Sequence, residues 1–177
     1  LDETGNISIR REELYTALPE KSLSYVPYDT SLKIGFFKGH PHLNPDEIKL
    51  LSYYDAVIVE GTGLGHLAVS QFDAHTHINT KNLEAISSLL DDTKVIIGVQ
   101  TVSGVTDMHI YSSGRYLLQT GVLGNGMNLT TETLFIRAAY LLSSKGKQAF
   151  EEAWGENLEG VDLRDRPLLI RQGNATV

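Results

Sequence analysis

The feature that most limits the fold is the run Ala56-Val57-Ile58-Val59, which ends at Glu60 and breaks into Gly61-Thr62-Gly63-Leu64-Gly65-His66. A short apolar run bounded by turn residues reads as a fully buried strand. Glycines at alternate positions just past its end mark a backbone that bends sharply or lets another group come close. In open α/β sheets, ligands lie outside the carboxyl ends of the strands. Gly61, Thr62, Gly63, Leu64, Gly65 and His66 are therefore the candidate small-molecule contact.

The segments on either side fit a parallel sheet. Leu32–Phe37 reads as a strand, and Asn44-Pro45-Asp46-Glu47 opens a helix that runs to about Tyr53. Asn44 suits the N-cap, Pro45 the first helical position, and Glu47 the far side of a capping box. Strand, helix and strand at this spacing make a βαβ unit. A polar loop over Leu67–Thr80 leads to a helix starting near Thr80 or Lys81, with Leu83, Ile86, Leu89 and Leu90 as its apolar stripe. Lys94–Val99 is the third strand, and its polar end, Gln100 to Gly104, should lie beside the glycine turn. Met108–Tyr111 reads as a short extended piece, Ser113–Leu118 as a short helix closed by Gly121, and Val122-Leu123 as a brief fourth strand. Glu132 to about Ser144 carries the longest helical pattern, followed by Lys147–Trp154 and an extended Leu168–Ile170. Residues 1–31 have little period and read as an arm or interdomain linker, with an edge strand at Ile7–Arg10 and a helical turn over Arg11–Leu18. Residues 32–177 form the α/β domain. The opening Leu1-Asp2-Glu3 reads as the interior of a longer polypeptide.

Composition narrows the function classes. The 177 residues, 41% of them hydrophobic, suit one compact domain with an attached arm. A net charge of −7 without a basic run argues against an autonomous nucleic-acid binder. There is no cysteine, hence no disulfide, thiolate metal site or cysteine nucleophile. No apolar run approaches the ~20 residues of a membrane span. A cytoplasmic protein without membrane contact is expected.

Three constellations carry possible chemistry. The pairs His40/His42 and His75/His77, with Asp73, suggest a metal, but their spacing matches no metal motif and no metal is expected. The third glycine of Gly61–Gly65 comes one residue early for a dinucleotide fingerprint, and no helix pattern follows it. Thr62, Ser103 and Thr106 are hydroxyls, with Lys38, His66 and His109 as possible bases; loop hydroxyls more often cap backbone.

Val59-Glu60-Gly61-Thr62-Gly63-Leu64-Gly65-His66 resembles the signature strand end of the D-type subunit of archaeal glutamyl-tRNA(Gln) amidotransferase, an L-asparaginase-like family. Gln100, Gly104, Tyr111, Gly114 and Arg115 fall on that family's Gln-x-x-x-Gly-x-x-x-x-x-x-Tyr-x-x-Gly-Arg stretch. Leu117–Val122, Met127 and Thr131-Glu132-Thr133 continue the pattern, so the resemblance spans about residues 32–145. Thr101–Thr106 departs from it, as do Asp107, His109 and Thr131. The resemblance implies a small parallel sheet flanked by helices, the C-terminal domain of the asparaginase/glutaminase fold. It also implies that the catalytic threonines sit on another domain, because the family's Thr-Gly-Gly-Thr and His-Gly-Thr-Asp-Thr signatures are absent here. No residue of this chain is then catalytic, and Gly61–His66 contacts substrate in an active site completed between chains of a homodimer. By the same resemblance, the whole enzyme releases ammonia from glutamine to a partner, the E-type subunit of the amidotransferase. That partner uses ATP and Mg to amidate Glu-tRNA(Gln), so tRNA is met only indirectly and this chain carries no cofactor. The alternatives are half of a plain L-asparaginase and a non-catalytic module that binds a ligand or partner.

Overall fold

The computed structural model describes residues 25–101 and 104–155. Ile7–Arg10, Arg11–Leu18, Ser103 and Leu168–Ile170 lie outside the described residues. Tyr25–Gly155 is one compact unit.

Its centre is a parallel sheet of β1 (Ile34–Lys38), β2 (Ala56–Gly61) and β3 (Lys94–Val99), in that order. α1 (Pro45–Leu50), extended by a 3-10 turn over Leu51–Tyr53, joins β1 to β2, and α2 (Ile78–Leu89) joins β2 to β3. The apolar run over Ala56–Val59 is buried on both faces, as the central strand of such a sheet must be. Val57, Val59, Val95 and Ile97 share one core with Ile48, Leu51, Ile86, Leu89 and Leu117. On the other face lies α4 (Thr131–Lys145): Phe36 stacks on its Phe135 at 5.1 Å, and a Cβ on Gly98 would stand 2.7 Å from Leu134 Cδ1.

Helix α1 is set by its cap, as its sequence predicts. The Asn44 carboxamide oxygen accepts from the Asp46 and Glu47 N–H groups, both at 3.1 Å, and the Glu47 carboxylate accepts from the Asn44 N–H at 3.3 Å. Helix α2 starts at Ile78, ahead of the predicted Thr80 or Lys81. An Asp73 turn leads into it: Oδ1 accepts from the His75 and Thr76 N–H groups at 2.9 and 3.0 Å. Two amides belong to the buried side of α2. Asn79 Nδ2 donates to Ser70 O at 2.7 Å, and Asn82 Nδ2 donates to Leu43 O and Ala68 O, both at 2.9 Å. An apolar stripe cannot reveal such residues, because they are buried through their hydrogen bonds.

Past β3 the chain departs from three expectations. Met108–Tyr111 is turn and bend, not extended. Helix α3 (Ser112–Thr120) packs so closely that a Cβ on Gly114 would lie 2.5 Å from Met108 O, which leaves no room for a straight segment. The fourth strand is a single residue: Leu123 bridges Ile96 in parallel, with Ile97 N–H donating to Leu123 O and Leu123 N–H to Val95 O. The final helix, α5, covers only Phe150–Trp154 of the expected Lys147–Trp154.

Candidate functional site

The glycine turn sits at the carboxyl end of the central strand. Thr62 and His66 pair across it as an antiparallel bridge, with Thr62 N–H donating to His66 O and His66 N–H to Thr62 O, both at 2.9 Å. Gly65 N–H also donates to Thr62 O, at 3.0 Å. Each glycine meets a different demand. A Cβ on Gly61 would lie 2.8 Å from the Gly65 carbonyl carbon, so the turn folds back on its own strand. Gly65 has φ +99, and its Cβ would lie 2.7 Å from Thr106 Cγ2. Gly63 has φ +55, and a Cβ there would meet only His66 Nδ1, at an ordinary contact distance of 3.7 Å. Thr62 and Gly63 are exposed, Leu64 and His66 half-buried, and Gly61 and Gly65 buried.

Glu60, first in the motif, is committed to the sheet: Lys38 Nζ lies 3.2 Å from its carboxylate across the β1–β2 register. The Thr62 hydroxyl donates to His66 O at 3.2 Å. These contacts occupy one candidate nucleophile and one candidate base. Thr106, a second candidate nucleophile, is buried.

The end of β3 lies beside the turn as its sequence predicts, with Gln100 N–H donating to Gly61 O at 3.1 Å. The loop after it is strapped down by Asp107 N–H donating to Leu64 O at 3.0 Å. Tyr111 sets its ring edge-to-face with His66 at 5.1 Å. The Tyr-x-x-Gly-Arg spacing thus has a physical basis. Tyr111 meets the turn histidine, Gly114 lets α3 touch the Met108 backbone, and Arg115 Nη1 donates to the His109 and Ile110 carbonyls, both at 3.0 Å.

Burial holds the His66 ring below its ordinary pKa of 6.5, against the opposing pull of the Thr62 carbonyl and Asp107. Among the described residues, its buried Nε2 has no hydrogen-bond partner. The neutral ring is therefore a group that orders the turn and its neighbour Tyr111, not a standing positive charge.

The histidine pairs of the sequence are regrouped in space. His40 Nε2 lies 3.4 Å from Glu47, and His77 Nδ1 lies 3.2 Å from Ala74 O. His42 and His75 line one open groove of about 620 Å³ with Phe72. Among the described residues, no three His, Asp or Glu side chains come together as a metal site would require. Also among the described residues, no helix is long and apolar enough to cross a membrane.

Asn125 is the site residue that local pattern missed. Its Oδ1 accepts from Met108 N–H at 2.8 Å, and its Nδ2 lies 3.0 Å from His109 Nε2. An asparagine between two glycines, Gly124 and Gly126, reads as a turn, and nothing in that pattern points to a loop 16 residues earlier.

No family model matches the chain. Its sequence is 31% identical over 144 residues to the D-type subunit of glutamyl-tRNA(Gln) amidotransferase from Thermoplasma acidophilum, covering 80% of this chain and 32% of that protein. It is 31% identical over 140 residues to the corresponding protein of Methanosphaera stadtmanae, covering 76% of this chain and 29% of that protein. The chain spans about a third of the length of the curated relatives it matches. The resemblance carried by Glu60–His66 and Gln100–Arg115 is thus borne out over most of the chain. Among solved structures, the thermostable L-asparaginase from Thermococcus kodakarensis superposes with a TM-score of 0.62 at 21% identity, over 73% of this chain and 37% of that one. L-asparaginase I from Vibrio cholerae gives 0.65 at 20% identity, over 81% and 41%. The fold is the expected asparaginase-like α/β arrangement, a small parallel sheet with helices on both faces.

Proposed function

We propose that this asparaginase-like domain, similar to part of the amidotransferase D-type subunit, is the C-terminal part of a glutaminase that supplies ammonia for tRNA-dependent amidation. The reading rests chiefly on one observation. The turn Gly61–His66 meets the following motif stretch at the carboxyl end of β2, where Tyr111 packs on His66 and Asp107 N–H donates to Leu64 O. That region offers the exposed backbone of Gly63 and a neutral histidine, groups suited to binding an amide or carboxylate. Among the described residues it offers no activated nucleophile: the Thr62 hydroxyl is bound to a carbonyl and Lys38 to Glu60.

In this reading the turn is one wall of an amide pocket. The attacking threonine comes from a domain of the family that bears the missing signatures, and two copies associate to complete each site. Ammonia then passes to the E-type subunit, where ATP and Mg serve the amidation of Glu-tRNA(Gln), in the cytoplasm. The pure chain is expected to release no ammonia from glutamine or asparagine, and turnover clearly above blank overturns this division of labour. Joined to a threonine-bearing domain and mixed with the E-type subunit and Glu-tRNA(Gln), it is expected to support formation of Gln-tRNA(Gln). Asparagine hydrolysis without that product would favour a plain L-asparaginase.

A further inference from the structure

Asn125 joins two loops beside the glycine turn, and its contacts settle a question of proton placement. The backbone N–H of Met108 can only donate, so the group of Asn125 that faces it must be the carboxamide oxygen. The other end of the amide is then an NH2, which has no lone pair to offer. It lies 3.0 Å from His109 Nε2, so that nitrogen is the acceptor and the neutral ring carries its proton on Nδ1. The amide cannot rotate to suit the ring, because turning it would set two donors against each other at Met108.

We propose that Asn125 is a positioning residue that holds His109 as the Nδ1–H tautomer, so that a ligand at this face meets a hydrogen-bond donor. The loop carrying His109 is fixed to the turn from both sides. Asp107 N–H binds Leu64 O, His109 N–H donates to the Asp107 carboxylate at 3.1 Å, and Tyr111 packs on His66. His109 itself is exposed. The ligand class that suits an N–H donor here is an oxygen acceptor, the carboxylate or carboxamide of an amino acid. That use of the donor rests on the amide-pocket reading above; the tautomer rests on Asn125 alone.

The test is a long-range 1H–15N correlation spectrum of the 15N-labelled chain in mildly alkaline buffer, with the His109 signals assigned by their loss in His109→Gln. The expected pattern for His109 has a protonated Nδ1 and a bare Nε2. A protonated Nε2, or a ring averaging both forms, overturns the proposal. Asn125→Asp presents an acceptor to both Met108 and His109, so the pattern is expected to invert to Nε2–H or to become doubly protonated. An unchanged pattern in that variant overturns the proposal too, and if the variant does not fold, the wild-type spectrum decides. Ammonia-release assays do not enter, so failure here is distinguishable from failure of the glutaminase reading.

Discussion

Replacing Gly63 and Gly65 separately by alanine tests the geometry of the turn, because the two positions carry different penalties. Gly63 has φ +55 and its Cβ would meet nothing nearer than His66 Nδ1 at 3.7 Å. Its cost is that of a left-handed L-residue, ~1–2 kcal/mol, partly offset by ~0.4–1 kcal/mol from a less flexible unfolded chain. A net loss of roughly 0–1.6 kcal/mol follows. Gly65 has φ +99, outside the region that L-residues populate. Strain of that kind costs ~1–3 kcal/mol. Its Cβ would also lie 2.7 Å from Thr106 Cγ2 and 3.2 Å from Ile97 Cγ2. Both neighbours are buried and β-branched, so neither turns aside easily. Overpacking adds ~1–3 kcal/mol, for a total near 4 kcal/mol. Urea unfolding with an unchanged m-value reads the difference directly. The reasoning fails if Gly63→Ala costs as much as Gly65→Ala, or if Gly65→Ala costs less than ~1 kcal/mol.

Two further outcomes follow from named contacts. The His66 pKa is depressed in the folded chain, so the unfolded chain takes up the proton first. This contribution to stability is full above the unfolded pKa of about 6.5 and is lost as pH falls through the folded value. A pH series of unfolding midpoints should show a smaller acid-side loss in His66→Gln than in wild type, and superimposable profiles would refute the assignment. Asn82→Ala strips the donors from two carbonyls, Leu43 O and Ala68 O. At ~1–3 kcal/mol for each buried group left unpaired, a loss of about 3 kcal/mol is expected in denaturant unfolding. A loss under ~1 kcal/mol would mean that water replaces the amide.

What the sequence made legible was what local chemistry decides. The strand Ala56–Val59 declared itself by its apolar run, and helix α1 by the three positions of its cap. The turn was found, but the distribution of its demands was not. Alternate glycines signal a special backbone without saying that the close approaches fall at Gly61 and Gly65 while a Cβ on Gly63 would make only an ordinary contact. Residues whose role depends on a distant partner stayed hidden. Asn82 reaches Leu43 across 39 positions, and Asn125 reaches Met108 across 17. The spatial neighbours of the histidine pairs are hidden for the same reason: Glu47 for His40 and the shared groove for His42 and His75 are set by the fold.

The one-residue pairing of Leu123 with Ile96 bears on what the sheet can recruit. Strand edges are templates for unwanted strands, and proteins guard them by covering or cutting them short. Leu123 takes up Ile97 N–H and Val95 O, the groups an intruding strand would need at the middle of β3. Gly124 then turns the chain away at once: its φ is +107, and a Cβ there would run into the Ile97 carbonyl oxygen. A residue with a side chain at 124 would push Leu123 off β3 and free the Ile97 N–H and Val95 carbonyl that it holds. Gly124 thereby keeps this one-residue pairing in place as well as turning the chain.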